Sequence, residues 1–316
     1  MKILITGISG LIGSHLADFL LQTESEIYGL KRFRSSNDNL NHLYGKIKFV
    51  EGDLEDAHST QYLIKSVGPD IIFHLAAQSY PKESWNAPLT TMRANIDGTI
   101  NILETVRNLD PKIKVLIACS SNQYGFIKES EVPIKEDRIQ QPLSPYGISK
   151  LAQELLGYEY HENFQIPTYL PRFFNQVGPG QGERSVIQTF CRQIATIEKG
   201  EQENKLFVGN LSAKRDFLDV KDGVAAIWAI VQKGKVATPY NICSGEAPSI
   251  KEVLDIILTK TTAKPEVVVE KSRLRPTDEP ILLGDNTRLK KDTGWEPKIP
   301  LDQTIEDVLA WWRNQV

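Results

Sequence analysis

The stretch "ITGISGLIGSHLADFL" (5–20) decides the fold. An apolar strand runs into glycines at every third position and passes at once into a helical pattern. Gly7, Gly10 and Gly13 give GxxGxxG spacing, with Leu11 and Ile12 between the last two. Glycine lets the backbone turn tightly and come close to a bound group, and a helix N-terminus offers free N–H groups and the positive end of its dipole. A tight turn with no ligand is the plain alternative. The position between the first strand and the first helix favours the pyrophosphate of a dinucleotide.

Outward from this loop, strands and helices alternate. The runs "KILITG" (2–7), "EIYGLKR" (26–32), "IKFVEGD" (47–53), "DIIFHLA" (70–76), "KVLIACS" (114–120) and "PTYLPRF" (167–173) read as strands. Several are apolar throughout, as strands covered on both faces are. Helical patterns such as 11–23 and 91–109 separate them. The expectation is a Rossmann-type α/β fold, a doubly wound parallel sheet with right-handed crossovers, over residues 1–175. After about residue 176 glycine, proline and charge increase, and helices mix with short strands such as "PYNICS" (239–244). A smaller C-terminal α/β substrate lobe is expected over 176–316, interleaved with the first.

The bulk composition narrows the classes. The chain has 316 residues, 41% hydrophobic and 24% charged, which is globular rather than disordered. A net charge of −3 lends nothing to a nucleic-acid or anionic-membrane role. Cys119, Cys191 and Cys243 are scattered in apolar surroundings without metal-ligand spacing, so buried free thiols in a reducing compartment are expected. The opening strand, with no basic leader and no long apolar run, leads us to expect a cytoplasmic, soluble protein.

The end of the second strand speaks to the cofactor. An acid there would bond an adenosine ribose; this chain has "LKRFRSSN" (30–37), with Lys31, Arg32 and Arg34. Cations suit a 2′-phosphate, so NADP(H) is preferred, with NAD(H) possible. The alternative is a solvated basic turn. Asp53 and Leu54 after the third strand are candidates for adenine. Leu75, Ala76 and Ala77 in "HLAAQS" (74–79) are candidates for lining the cofactor on the fourth strand, and Phe173 is a further cofactor-binding candidate.

Chemistry enters with "SPYGISK" (144–150). Tyr146 and Lys150 stand at i and i+4, on one face of a helix. A nearby ammonium favours the phenolate, which leads us to expect a tyrosine pKa lowered toward neutrality. Such a tyrosine exchanges a proton with a hydroxyl or carbonyl while a hydride moves to or from nicotinamide. Ser120, ending the strand in "LIACSSNQYG" (116–125), is a second donor to the same oxygen. His74 reads as a strand residue, and Trp311 and Trp312 as packing of the last helix.

With "TGISGLIG", "GDL", "HLAAQS", "SSNQYG", "YGISK" and "PRFFNQVGPGQ" on the page, the chain resembles the extended short-chain dehydrogenase/reductases, the nucleotide-sugar epimerase and dehydratase group. "VGNLSAKRDFLDVKD" (208–222), "YNICSG" (240–245) and the stretch 273–301 resemble its GDP-sugar branch of dehydratases and 4-keto-6-deoxy-sugar reductases. The resemblance implies a nucleotide-sugar substrate and a homodimer. It also implies that Asn175 bonds the sugar or its phosphate, that Arg215 and Arg275 are candidates for the diphosphate, and that Ser121 and Asn122 face the sugar. Surface salt bridges are the alternative for the arginines. Glu183 and Arg184 read as helix-start residues.

Asn122 separates two chemistries within that branch. In the dehydratases that the chain resembles, a glutamate lies two positions before the Tyr-Gly tyrosine; here that position holds Asn122. A carboxamide does not titrate near neutrality and shuttles no proton. The loop therefore suits hydride transfer at a carbonyl and not dehydration. Reduction of a GDP-4-keto-6-deoxy-hexose is the leading reading. A 4-epimerase that retains its cofactor, and a non-catalytic NADP-binding regulator, remain as alternatives.

Overall fold

The structure, a computed structural model, describes residues 1–183, 185–273 and 279–316. Its first strand, β1 (Lys2–Thr6), buries every residue from Ile3 to Thr6. Ile3 and Ile5 face one core while Leu4 faces another, as the two-residue period of a strand requires. The chain continues through α1 (Leu11–Leu20), β2 (Glu26–Lys31), β3 (Lys48–Glu51), α2 (Ala57–Val67), β4 (Ile71–His74), α3 (Pro81–Asn86), α4 (Pro88–Met92) and α5 (Gly98–Leu109). Next come β5 (Lys114–Ile117), β6 (Cys119–Ser120), α6 (Pro145–Phe164), β7 (Thr168–Phe173) and β8 (Asn175–Val177). The remaining elements are α7 (Val186–Glu198), β9 (Lys205–Val208), β10 (Lys214–Arg215), β11 (Phe217–Asp219), α8 (Val220–Lys233), β12 (Pro239–Ile242), α9 (Ile250–Thr259), β13 (Glu266–Val269), β14 (Ile281–Leu282), α10 (Thr287–Thr293) and α11 (Leu301–Arg313).

The main sheet runs β12-β7-β5-β4-β1-β2-β3, every pair parallel, and β6 extends the β5 side along β7. The order turns back between β1 and β4. That switch point opens a crevice at the carboxyl ends of the strands, where ligands of such sheets bind. One face of the sheet is covered by α1 and α8, the other by α2, α5 and α6.

The run 114–120, expected as one strand, is divided at Ala118. The Ala118 carbonyl accepts Lys150 Nζ at 2.7 Å, so the backbone there serves the site. Helix α6 carries Tyr146 and Lys150 and starts where the sequence says it should. Ser144 caps it by accepting from Gly147 N at 3.0 Å, and Pro145 fills the first helical position. At Gly157 a Cβ would come within 2.6 Å of Leu170 and 2.9 Å of Ile117, so the missing side chain lets α6 lie close on the sheet.

The C-terminal half is interleaved with the first. α8 packs on α1, and β12 joins the main sheet with Asn241 opposite Arg172. A second core forms from α7, α9, α11 and β9, and it includes Trp311 and Trp312. Among the described residues no helix is long and apolar enough to cross a membrane.

Candidate active site

The glycine turn has two structural members and one open one. Gly7 has φ +71, and a Cβ on it would lie 2.7 Å from Ala76 N; a Cβ on Gly13 would lie 2.3 Å from the Gly7 carbonyl. The packing of the chain itself demands both. Gly10 is exposed, and a Cβ there would approach only the Gly7 carbonyl, at 3.3 Å. Beyond it lies open space over the first turn of α1, which contains no acid. The amides of Leu11, Ile12 and Gly13 precede the first intrahelical donor, so they are available to an anion. A dinucleotide pyrophosphate fits this cradle. Thr6 Oγ1 accepts from Ala76 N at 3.1 Å and bonds His74 Nδ1 at 2.9 Å, which joins the ends of β1 and β4 under the crevice. Leu75, Ala76 and Ala77 are half-buried along it.

The basic turn divides in the same way. Lys31 Nζ lies 3.3 Å from Asn37 Oδ1, 3.4 Å from the Tyr44 hydroxyl and 3.9 Å from Glu51, against the Tyr44 and Phe49 rings. Its charge is engaged by these surface neighbours. Arg32 and Arg34 are exposed and form no ion pair among the described residues, on a turn closed by Ser35 N donating to the Arg32 carbonyl. Asp53 Oδ1 accepts from Glu55 N at 3.0 Å, and Leu54 is packed against α5 through Gly98. Asn39, not singled out from sequence, donates to the carbonyls of Ser9 and Gly180 and so links the glycine turn to the second half of the chain.

Ser120, Tyr146 and Lys150 come together at the carboxyl edge, all three buried, with Phe173 beside Ser120 in register. Burial pushes the Tyr146 phenol up to about 12, while its hydrogen bond with Ser120 pulls the other way. Burial also lowers Lys150 to about 8. The expected lowering of the tyrosine is thus corrected. The Lys150 ammonium is directed at the Ala118 carbonyl and stands 5.9 Å from the Tyr146 ring centre, so burial outweighs it. Ser120 Oγ accepts from Asn122 N at 3.2 Å and from Asn122 Nδ2 at 3.4 Å, which leaves its own proton for another acceptor. Asn122 is exposed, whereas Ser121 is buried and its carbonyl accepts from Tyr124 N.

Behind these groups lies a buried polar network that the sequence reading missed. Gln123 accepts from Ser120 N at 2.7 Å and donates to Glu154 at 2.9 Å and Gln140 at 2.8 Å. Glu154 takes both a 2.7 Å and a 2.5 Å bond from Arg172, which also donates to the Tyr124 hydroxyl at 2.8 Å. Tyr124 donates to Asn241 at 2.7 Å. Two signals were available: Glu154 continues the i, i+4 series from Tyr146, and Arg172 is a charge in an otherwise apolar strand.

Of the residues assigned to the sugar nucleotide, Asn175 and Arg215 lie near each other, since Asn175 donates from Nδ2 at 2.8 Å to the carbonyl of Asp216, the residue after Arg215. Arg215 donates to the carbonyls of Lys214 and Glu279, both at 2.8 Å, and so braces β10. Glu183 pairs with Arg192. Arg275 and Arg184 lie outside the described residues.

A doubly wound parallel sheet with a serine, a tyrosine and a lysine four residues on, at its carboxyl edge, defines an extended short-chain dehydrogenase/reductase. The chain belongs within that class to the GDP-mannose 4,6 dehydratase family, whose model matches residues 4–308. It is 31% identical to the GDP-6-deoxy-D-mannose reductase of Pseudomonas aeruginosa, over 100% of this chain and 98% of that protein. It is 32% identical to the GDP-mannose 4,6 dehydratase of Homo sapiens, over 97% of this chain and 90% of that protein. Among solved structures, RMD from Pseudomonas aeruginosa complexed with NADPH matches with a TM-score of 0.88 at 30% identity, over 100% of this chain and 99% of the other. A UDP-glucose 4-epimerase from Thermotoga maritima with UDP-glucose matches with a TM-score of 0.91 at 26% identity, over the same shares of each chain.

Proposed function

We propose that the protein is a reductase that converts the C4 ketone of a GDP-4-keto-6-deoxy-hexose to an alcohol with NADPH. One observation carries this reading. Ser120, Tyr146 and Lys150 are gathered, while Asn122 occupies the position of the dehydratase glutamate. The full-length likeness to the Pseudomonas reductase supports it.

NADPH, when bound, supplies the hydride that C4 accepts. Burial holds Tyr146 protonated, the form a reduction needs, since the ketone oxygen must gain a proton. Ser120 donates a hydrogen bond to that oxygen, its hydroxyl oriented by the two Asn122 donors. Lys150 stabilises the phenolate left behind and offers its other protons to ribose hydroxyls. Gly10 leaves the cradle open to the pyrophosphate, which the amides of Leu11, Ile12 and Gly13 receive, while Gly7 and Gly13 shape the turn. Arg32 and Arg34 suit the 2′-phosphate better than Lys31, whose charge is already engaged. Asn175 is assigned to the sugar or its phosphate, and Arg215, in the 176–316 half, to the diphosphate.

The test uses two incubations: GDP-mannose with NADP⁺, and GDP-4-keto-6-deoxy-mannose with NADPH. We expect no dehydration in the first and one NADPH oxidised per sugar in the second. Dehydration in the first would remove the argument from Asn122. The epimerase reading rests on shape, through the Thermotoga likeness. It requires cofactor that stays bound through purification, where the reductase reading expects ready exchange.

We also assign a homodimer, through the exposed face of α3, α4 and α6 that carries Trp85, Leu89, Ile148, Leu155 and Tyr158. Leu155→Arg should convert the dimer to a monomer in light scattering; an unchanged mass removes this face. The three cysteines are buried and free, which supports the cytoplasm as the compartment.

A further inference from the structure

We propose that Gln123 is a positioning residue that sets Ser120 relative to Tyr146 and Lys150. The inference rests on the assignment of those three groups as the reacting set. They arrive on different elements. Ser120 ends β6 and enters the loop, whereas Tyr146 and Lys150 stand on α6. Gln123 is fully buried and bonds to both: its Oε1 accepts from the Ser120 amide at 2.7 Å, and its Nε2 donates to Glu154 at 2.9 Å. Glu154 lies one further turn along α6, in line with Tyr146 and Lys150. The bridge therefore runs from the backbone of the serine to the helix that carries the other two.

The residue type matters. The amide of Gln123 must accept at one end and donate at the other, because Ser120 offers an N–H and Glu154 offers carboxylate oxygens. The far end is fixed in turn. Glu154 is held by two bonds from Arg172 on β7, and Arg172 is bonded to Tyr124 and to the Glu136 carbonyl. Gln140 accepts the second Nε2 proton and itself donates to Glu154 at 3.0 Å. The anchor has no free rotor left, so removing the bridge leaves Ser120 held only by its strand and its short turn. A small displacement of a hydrogen-bonding group at a reacting centre costs far more rate than binding.

Two variants test this. Gln123→Met keeps the length and loses all three side-chain bonds, to Ser120 N, Glu154 and Gln140. Gln123→Glu keeps the acceptor for Ser120 N, and donates to Glu154 only while it holds a proton. With NADPH and GDP-4-keto-6-deoxy-mannose, the Met variant should lose about 30-fold or more in kcat with KM within about threefold. The Glu variant should recover rate as pH falls, because position 123 faces Glu154, the Arg172 guanidinium paired with it, neutral Gln140 and Tyr124, the Cys119 thiol, which burial keeps protonated, and Glu136 beyond Arg172. The wild type and the Met variant should lack that acid-side rise. Peptide-level hydrogen exchange on the same proteins should show faster exchange across 119–124 in the Met variant, with α6 unchanged. A Met variant with wild-type kcat, or a Glu variant whose pH profile overlays the wild type, overturns the inference. If the wild type itself turns over no sugar, the functional reading fails instead, and exchange alone decides: faster exchange across 119–124 upholds the positioning role, and unaltered exchange overturns it.

Discussion

Tyr146 shows how far a single residue could be read from its spacing. The i, i+4 tyrosine and lysine identify a pair on one helix face, and the strand-ending serine completes the set. The direction of the tyrosine's titration was not legible, because it depends on how deeply α6 presses the phenol into the protein. Gln123 was illegible for a related reason: a glutamine in a loop says nothing until the residue across from it, Glu154, is known. The chemistry assigned to Tyr146 makes a direct prediction. Tyr146→Phe keeps the ring and removes the proton donor. Turnover of the 4-keto sugar should fall by about 10²-fold or more. NADPH binding, followed by its fluorescence, should change by less than about threefold. Near-normal turnover would remove Tyr146 from the reaction.

At the scale of the element, the glycine turn and the strand ends do different work from what their patterns alone convey. The three glycines look equivalent in sequence, yet a Cβ on Gly13 would lie 2.3 Å from the Gly7 carbonyl, whereas one on Gly10 would meet that carbonyl only at 3.3 Å. Gly13→Ala should therefore cost more than about 2 kcal/mol of stability, whereas Gly10→Ala should cost less than about 1 kcal/mol. Gly10→Ala should nonetheless weaken NADPH binding about tenfold or more, because its methyl occupies the open cradle. Equal stability losses in urea denaturation would show that the two positions are alike. The end of β4 yields a second prediction. His74 is fully buried between Thr6, Thr99 and Gln153, and burial, aided by the Lys150 charge, lowers it from 6.5 to about 3. Between these values the unfolded chain binds a proton that the folded one refuses, so stability is lost as pH falls from 6.5 toward 3. From pH 6.5 to 5 the contribution is about 2 kcal/mol. His74→Asn, which cannot titrate, should show a shallower loss of stability over that interval, by about that amount. An unchanged pH slope would mean that His74 is not the group responsible.

The molecule as a whole is wound more tightly than two consecutive lobes. Alternating strands and helices were legible up to β7 because each parallel strand is apolar on both faces and each helix follows a turn signal. That the second half interleaves with the first was expected, but the strand it joins was not legible, since "PYNICS" is short and nothing in it says which edge it joins. In the structure β12 pairs with β7 from Pro239↔Leu170 to Ile242↔Phe173 and becomes the last strand of the main sheet. Helix α8 lays Val220, Val224, Ile227, Ile230 and Val231 into the same core as Ile3, Ile5 and Leu16. The polar network crosses at the same place, since Asn241 accepts from Tyr124 and donates to the Ile134 carbonyl at 2.8 Å. A chain that stops at residue 175 therefore keeps the glycine turn, Ser120, Tyr146 and Lys150 but loses one sheet neighbour and one covering helix. Its β7 edge would present unpaired backbone groups, and α1 would expose an apolar face that α8 otherwise covers. We expect a fragment of residues 1–175 to aggregate or to lack a cooperative thermal transition. The full chain should unfold in one transition seen alike by far-ultraviolet circular dichroism and by tryptophan fluorescence, whose reporters include Trp228 on α8 and Trp312 in the second core. A monomeric 1–175 fragment that melts cooperatively and binds NADPH would show that the first half is an independent domain and that the interleaving is dispensable.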